Sequence, residues 1–192
     1  MAGMEAAPSL TGRLIVATPV LTDPNFARSV VLLLDHDAEG ALGVVLNRPT
    51  PVDVAAVLDG WASLTGDPAV VFQGGPVGLD SALAIAVVPG EEAHPGPLGW
   101  RRVHGAIGLV DLEAPPEVLA GVLGGMRVFA GYAGWSPGQL EQEIAEGAWY
   151  PVECEAGDVS CVQPDRMWRA VLRRQRGPLA MLATYPDDPT LN

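Results

Sequence analysis

Apolar residues along this chain fall in short, β-branched runs broken by glycine, proline and acidic residues, a spacing that predicts strands more often than long helices. Arg13–Thr18 (RLIVAT) is one such run, ended by Pro19. SVVLLLDH (29–36) and ALGVVLNR (41–48) flank Asp37-Ala38-Glu39-Gly40, which predicts a hairpin. Further strands are expected at Ala69–Gln73, Ala82–Val88, Ile107–Leu112, Met126–Ala130, around Tyr150–Glu155 and at Leu179–Thr184. Residues 89–104 carry three prolines and three glycines and predict a long surface loop.

Helical signals interrupt this pattern about four times. Thr50-Pro51-Val52-Asp53 has the order of an N-cap, a first-turn proline and an acid favoured by the helix dipole, predicting a helix to about Leu58. PPEVLAGVL predicts another from Pro115. In the stretch WSPGQLEQEI, Ser136 as N-cap, Pro137 next and Gln139 as the third residue would form a capping box, with Trp135 stapled to Leu140. Ile144 continues that apolar face, Glu141, Glu143 and Glu146 point elsewhere, and Gly147 ends the helix. Asp165–Gln175 is the fourth. Strands and helices mix without strict alternation, so an α+β domain is expected over a doubly wound sheet.

Composition narrows the class. At 192 residues, 48% hydrophobic and 18% charged, with no linker-like tract, residues 1–192 are expected to form one domain, residues 1–11 being a flexible start. Its longest apolar runs, such as Val30–Leu34 and Ala82–Val88, are far short of a membrane span, and the first twelve residues lack the pattern of a secretory signal. A cytoplasmic protein without a membrane partner is therefore expected. Cys154 and Cys161 match neither a redox pair nor a zinc-ligand set and are expected to be free thiols.

Four separated stretches carry a family pattern: GRLIVATPVLTDPNFARSVVLLLDHDAEGALGVVLNRP, FQGGPVGLD, FAGYAGWSPGQLEQEIAEGAWY and DDPTLN. Together, in order, they resemble the bacterial AlgH/YqgE family across essentially the whole chain. The resemblance implies a compact α+β fold with a strongly curved, barrel-like mixed sheet. It implies no agreed reaction or cofactor, although some family members are labelled transcriptional regulators. The segment from Val88 to Val103 and the region around Cys154 and Cys161 carry less of the pattern.

The candidate chemistry lies where strands end. Asn47, Arg48 and Pro49 close one strand, and an arginine there could hold a carboxylate or phosphate, against the plainer alternative of local backbone bonding. Gly74, Gly75 and Pro76 close another, and Gly131, Tyr132 and Gly134 with Trp135 form a strand-to-helix junction that could present amides to an anion. Convergence of these loops on one rim would make a ligand pocket. An enzyme acting on a phosphorylated or acidic metabolite around Asn47, Gly75 and Tyr132 is the alternative. His36, His94 and His104 belong to no nucleophile elbow or HExxH motif, and no GxGxxG or phosphate-binding lysine loop is present, so no cofactor is expected. Asp35-His36-Asp37 could hold a metal, but a solvated hairpin tip explains it more simply, and no metal is expected.

Charge weighs against nucleic acid. The net charge is −12, and all eleven basic residues are arginine. The exception is residues 165–177, where Arg166, Arg169, Arg173 and Arg176 share one helical face opposite Met167, Trp168, Val171 and Leu172. Five arginines against Asp165 give this segment +4, leaving −16 on the rest of a chain at −12. Binding of an unknown protein or small molecule is thus the leading expectation, and DNA binding through this helix is a rival.

Overall fold

The computed structural model describes residues 8–90 and 94–187. Ten strands form one curved, half-barrel sheet: β1 (Leu14–Ala17), β2 (Val30–Asp37), β3 (Gly40–Val45), β4 (Pro49–Asp53), β5 (Val70–Gln73), β6 (Val77–Val87), β7 (Trp100–His104), β8 (Ile107–Val110), β9 (Gly125–Trp135) and β10 (Trp149–Val152). Their order is β10-β1-β2-β3-β9-β6-β8-β7, with β4 pairing β5 and β5 pairing β9. The β5–β9 pairing is parallel and makes the sheet mixed. Four α-helices are described: α1 (Val54–Val57), α2 (Gln139–Ala145), α3 (Met167–Arg173) and α4 (Pro178–Leu182). The expected α+β domain with a curved mixed sheet is what the chain forms.

Both faces are buried along β1, most of β2 and the end of β3, which is why these strands read as continuous apolar runs. Along β1 and β2, Leu14, Val16, Val30 and Leu32 point into the concave side with Phe72, Ile85 and Phe129. The alternate residues Ile15, Ala17, Val31 and Leu33 meet Trp135, Leu140 and Trp149 on the other side. A third cluster around Trp61, Trp100, Leu119 and Met126 covers the convex face of the second half. Met167, Trp168, Val171 and Leu172 of α3 close the concave side. Seven residues are too few for an isolated helix to persist in water. Burial of four large side chains, roughly 1.5–3 kcal/mol each, is what holds α3 in place.

The centre of the sheet is β9. On one edge it pairs first with β5, through Phe129 and Ala130, and then with β3, through Ala133 to Trp135. On its other edge it pairs with β6, where a large bulge separates Val77↔Tyr132 from Ala82↔Ala130. The switch of partner occurs where Gly74 and Gly75 cross Gly131 and Tyr132. A Cβ on Gly74 would overlap the carbonyl oxygen of Gly131, and one on Gly75 that of Tyr132. Gly131, at φ 75°, gives the strand its local kink.

Several local expectations yield to tertiary pairing. Thr50 is a strand residue instead of an N-cap: its hydroxyl donates to the Val71 carbonyl (2.6 Å), and β4 runs on to Asp53 beside β5. GYAG is no junction, since β9 continues through it to Trp135. The PPEVLAGVL helix shrinks to a 3₁₀ turn, Pro116–Val118. Leu179–Thr184 forms no strand. Gly177 (φ 73°) ends the preceding segment and Pro178 starts α4, which lays Leu179 and Leu182 on the core. Within the expected 89–104 loop, Trp100 starts β7, pinned by its indole N–H to the Ala86 carbonyl (3.0 Å). Helix α2 begins at Gln139 with Gly138 as N-cap, and only half of the capping box forms, the Ser136 amide donating to Gln139 Oε1 (3.0 Å).

Two carboxylates of α2 bond strand residues: half-buried Glu143 faces inward, and Glu141, itself exposed, reaches a buried histidine. Glu143 Oε2 accepts from the indoles of both Trp135 and Trp149, each at 2.9 Å. His36 is not at a solvated tip but buried within β2. Its Nδ1 accepts from the Leu10 amide (2.9 Å), so the proton is on Nε2, which donates to Glu141 Oε1 at 2.6 Å. That bond holds the Glu141 carboxyl below the usual carboxylate range. Of residues 1–11, the described part is tied to the same histidine, Ser9 donating to its carbonyl (2.8 Å).

Arg127 of β9 is a fully buried cation. It donates to the carbonyls of Cys161 (3.0 Å) and Asp67 (3.1 Å) and lies 4.1 Å from the centre of the Phe72 ring. Burial lowers its pKa to about 10. Farther along the chain, Arg174 grips buried Asp158 with two bonds (2.7 and 2.6 Å) beside the half-buried Cys154 thiol. Both cysteines are free thiols.

A Gly75→Ala substitution is expected to destabilise the protein by at least about 2 kcal/mol in urea unfolding, because the obstructing atom is backbone and cannot rotate away; unchanged stability would contradict the crossing. Burial, then Asp158, raises the Cys154 thiol from 9.0 to about 12. Between those values the native state keeps a proton that the unfolded chain releases, so stability must fall as pH rises through that window. Urea midpoints at several alkaline pH values are expected to drop more steeply for the wild type than for Cys154→Ser.

Candidate functional site

Asn47 and Arg48, just beyond β3, organise the loop that precedes β2. Asn47 Oδ1 accepts from the Val30 amide and its Nδ2 donates to the Arg28 carbonyl, both at 3.0 Å. Arg48 donates to the carbonyls of Pro24 (2.7 Å) and Ala27 (2.8 Å). The loop itself turns on Asp23, whose side chain caps the Asn25 amide (2.8 Å). Burial lowers the Arg48 pKa, with Asp23 opposing. Both side chains therefore bond backbone, across some twenty residues rather than locally.

What they hold in place is Arg28. This is the one non-glycine residue with positive φ (57°) among those described. Such a conformation costs on the order of 1 kcal/mol or more and persists where neighbours enforce it. Its guanidinium lies 4.6 Å from the centre of the Trp168 ring, and that of Arg169 lies 5.7 Å from the same ring. Trp168 is fixed by its indole N–H to the Ala17 carbonyl (2.8 Å). Arg28 also donates to the Pro186 carbonyl and Arg169 to that of Ala183, which fastens the segment after α4 over this corner.

A cavity of about 260 Å³ opens here, lined by Arg28, Asn47, Arg48, Trp168, Arg169 and Asp187, among others. Asp187 Oδ1 accepts from Arg169 (2.7 Å) and from Arg28 (3.3 Å). The Arg169 bond, with Arg28 adding, keeps its carboxyl below the usual range. Its side chain is nevertheless 85% exposed, so solvent screens both pairs. Chemically, the corner is a carboxylate receptor, and it already holds a carboxylate.

The three sequence loops do not gather at one cavity. Residues 74–76 and 131–132 meet through their backbones, as packed strands, and the expected glycine rim is filled by that crossing. Trp135 lies on the opposite face of the sheet, against Phe26 and Trp149 (ring centres 6.2 and 6.0 Å), and Gly134 pairs with Leu42 in β3. Trp135 also lines a separate hollow of about 200 Å³ whose other walls include Asp35, Asp37 and Glu39, unsuited to an anion. Another cavity, about 560 Å³, sets Arg101 against Asp111 and Glu113 and so mixes charges of both signs. A mainly apolar groove of about 340 Å³ runs between Val52, Val57, Val71 and Leu79. Among the described residues, no three of His, Cys, Asp and Glu gather in a way that could hold a metal ion, and no helix is long and apolar enough to cross a membrane.

The expected 165–175 helix is shorter, α3 ending at Arg173, so of the four arginines only Arg169 and Arg173 lie on it; Arg169 turns into the cavity while Arg166, Arg173 and Arg176 are exposed. The stripe is divided, with its most central member engaged on Asp187. Sequence reasoning found Asn47, Arg48 and Arg169, the last in another role, and missed Arg28 and Asp187. The Asp23-Pro24-Asn25 turn signal was the only hint that residue 28 sits in a shaped loop.

Comparison with known proteins agrees with this architecture. The AlgH-like family model matches residues 14–180. A UPF0301 protein of Streptomyces avermitilis is 72% identical, covering 100% of both chains, and one of Thermobifida fusca is 51% identical over 96% of each. A crystal structure of a Corynebacterium diphtheriae protein superposes with a TM-score of 0.86 at 33% identity, covering 95% of each chain. The solution structure of the AlgH protein from Pseudomonas aeruginosa gives 0.63 at 25% identity, over 96% of this chain and 98% of that one. The half-barrel sheet, its glycine crossing and the whole-length match to these relatives lead to one conclusion: the chain belongs to the AlgH-like family.

Proposed function

We propose that this is a non-catalytic binding protein of the cytoplasm, which exerts a regulatory effect by taking a small acidic ligand or an acidic partner at the corner organised by Asn47 and Arg48. One observation carries this reading: three arginines, Arg28, Arg48 and Arg169, line a single cavity against two aspartates, Asp165 and Asp187, a local excess of positive charge in a chain whose net charge is −12. With only eleven basic residues available, that clustering opposes the overall field and creates a local anion sink. The glycine motifs support the reading indirectly, since they position β9 and the loops around it instead of contacting a ligand. The regulatory role rests on the family resemblance alone, some family members being labelled transcriptional regulators.

A thermal-shift screen of nucleotides and carboxylated or phosphorylated metabolites tests it. A ligand at about 100 times its dissociation constant adds roughly 2.7 kcal/mol, which at this chain length raises the melting temperature by roughly 5–10 °C. The rise is expected for at least one anionic compound and is expected to vanish in Arg169→Gln. Flat curves across the panel, or a shift indifferent to Arg169→Gln, would contradict the assignment.

A further inference from the structure

The corner contains its own occupant, and that identifies the chemistry of an external one. Arg28 and Arg169 donate to the same oxygen of Asp187, at 3.3 and 2.7 Å. Each guanidinium gives one NH2 group to Asp187 and the other to a backbone carbonyl, Pro186 for Arg28 and Ala183 for Arg169, so two of its five N–H donors are engaged and both arginines share a single carboxylate oxygen. The Asp187 side chain is 85% exposed, whereas those of Arg28 and Arg169 are 32% and 25% exposed. The anion is thus the solvent-side partner, and the receptor is the part built into the protein. Arg28 is held in its left-handed backbone conformation by the Asn47 amide, and both arginines stand over Trp168, itself fixed to β1. Nothing in that scaffold needs Asp187 to stay in place. When the carboxylate swings out, Arg28, Arg48 and Arg169 face one other acid, Asp165, among the described residues lining the cavity.

We infer that this cavity is a site for a small molecule bearing a carboxylate or phosphate group, which takes the place between Arg28 and Arg169 that Asp187 holds in this structure. The inference rests on the binding role proposed above and adds to it the class of ligand and an internal competitor. Its anionic group bonds both guanidinium forks, and the remainder of the molecule lies in the about 260 Å³ cavity beside Asn47 and Pro164. Asp187 sets a threshold: because it is tethered, it competes at an effective concentration on the order of millimolar. Only ligands offering more than one oxygen to the forks displace it efficiently.

Calorimetric titration with sodium phosphate and, separately, sodium succinate, against sodium chloride at matched ionic strength, tests this. The Asp187→Asn protein is expected to bind at least one of the two roughly tenfold more tightly than wild type, since the competitor has been removed while the forks remain. Preference for phosphate or for succinate then distinguishes the two sources of the oxyanion. In the Asp187→Asn background, Arg169→Gln and Arg28→Gln are each expected to abolish the gain, and either one that keeps the wild-type circular dichroism spectrum suffices. Equal affinity in wild type and Asp187→Asn, still lost with Arg169→Gln, would overturn displacement by the ligand and leave the binding role intact. No binding by Asp187→Asn, or binding that survives both arginine variants, would overturn the site itself.

Discussion

The structure depends on a place where two backbones touch. At Gly74 and Gly75 the chain crosses Gly131 and Tyr132 so closely that a single added carbon would meet a carbonyl oxygen. This contact lets one edge of β9 serve two strands in succession, β5 in parallel and β3 antiparallel, while the other edge serves β6. Without it, the hairpin of β2 and β3 and the second half of the sheet would have no common strand. Curvature follows from the same place, where Gly131 supplies a kink and β6 a bulge. The concave side so produced is filled by aliphatic and aromatic side chains and closed by α3.

That arrangement decides where recognition can occur. Glycine-rich loops are often places where a ligand approaches backbone, but here the approach is made by another strand, and the space is taken. The corner where the loop before β2, the end of β3 and α3 meet is different, for its occupant is the exposed Asp187 side chain. Its donors are side chains, and they are held by bonds made for folding: Asn47 to the Arg28 carbonyl and the Val30 amide, Arg48 to the carbonyls of Pro24 and Ala27, Trp168 to Ala17. Pre-organised donors lose little freedom on binding, so the same bonds that shape the loop favour an anion.

How far all this could be read from the sequence varies by element, for physical reasons. β1, β2 and β3 were legible because burial on both faces demands uninterrupted β-branched runs, and α3 because its four apolar residues recur at helical spacing. Thr50-Pro51-Val52-Asp53 misleads because a local cap signal competes with pairing to β5, and the pairing wins. Leu179–Thr184 misleads because six mostly apolar residues have no distinguishable period, although Gly177-Pro178 carried the helix-start signal. Glu143 was placed off the buried face on helical phase alone, yet it is half-buried, and its partners Trp135 and Trp149, like the His36 that exposed Glu141 reaches, come from separate strands that no local pattern joins. The candidate corner was half legible: Asn47 and Arg48 stand out at a strand end, but Arg28, Arg169 and Asp187 are brought to them only by the sheet's closure.

The central claim is that the glycines build the sheet and the arginine corner binds. Titrating phosphate or succinate into isotope-labelled protein while following backbone amide and indole N–H resonances by NMR addresses both halves at once. The account predicts perturbations at Arg28, Asn47, the Trp168 indole, Arg169 and Asp187, with Gly74, Gly75, Gly131 and Tyr132 unmoved. Shifts concentrated on those glycines and Tyr132, with the arginine corner silent, would contradict it.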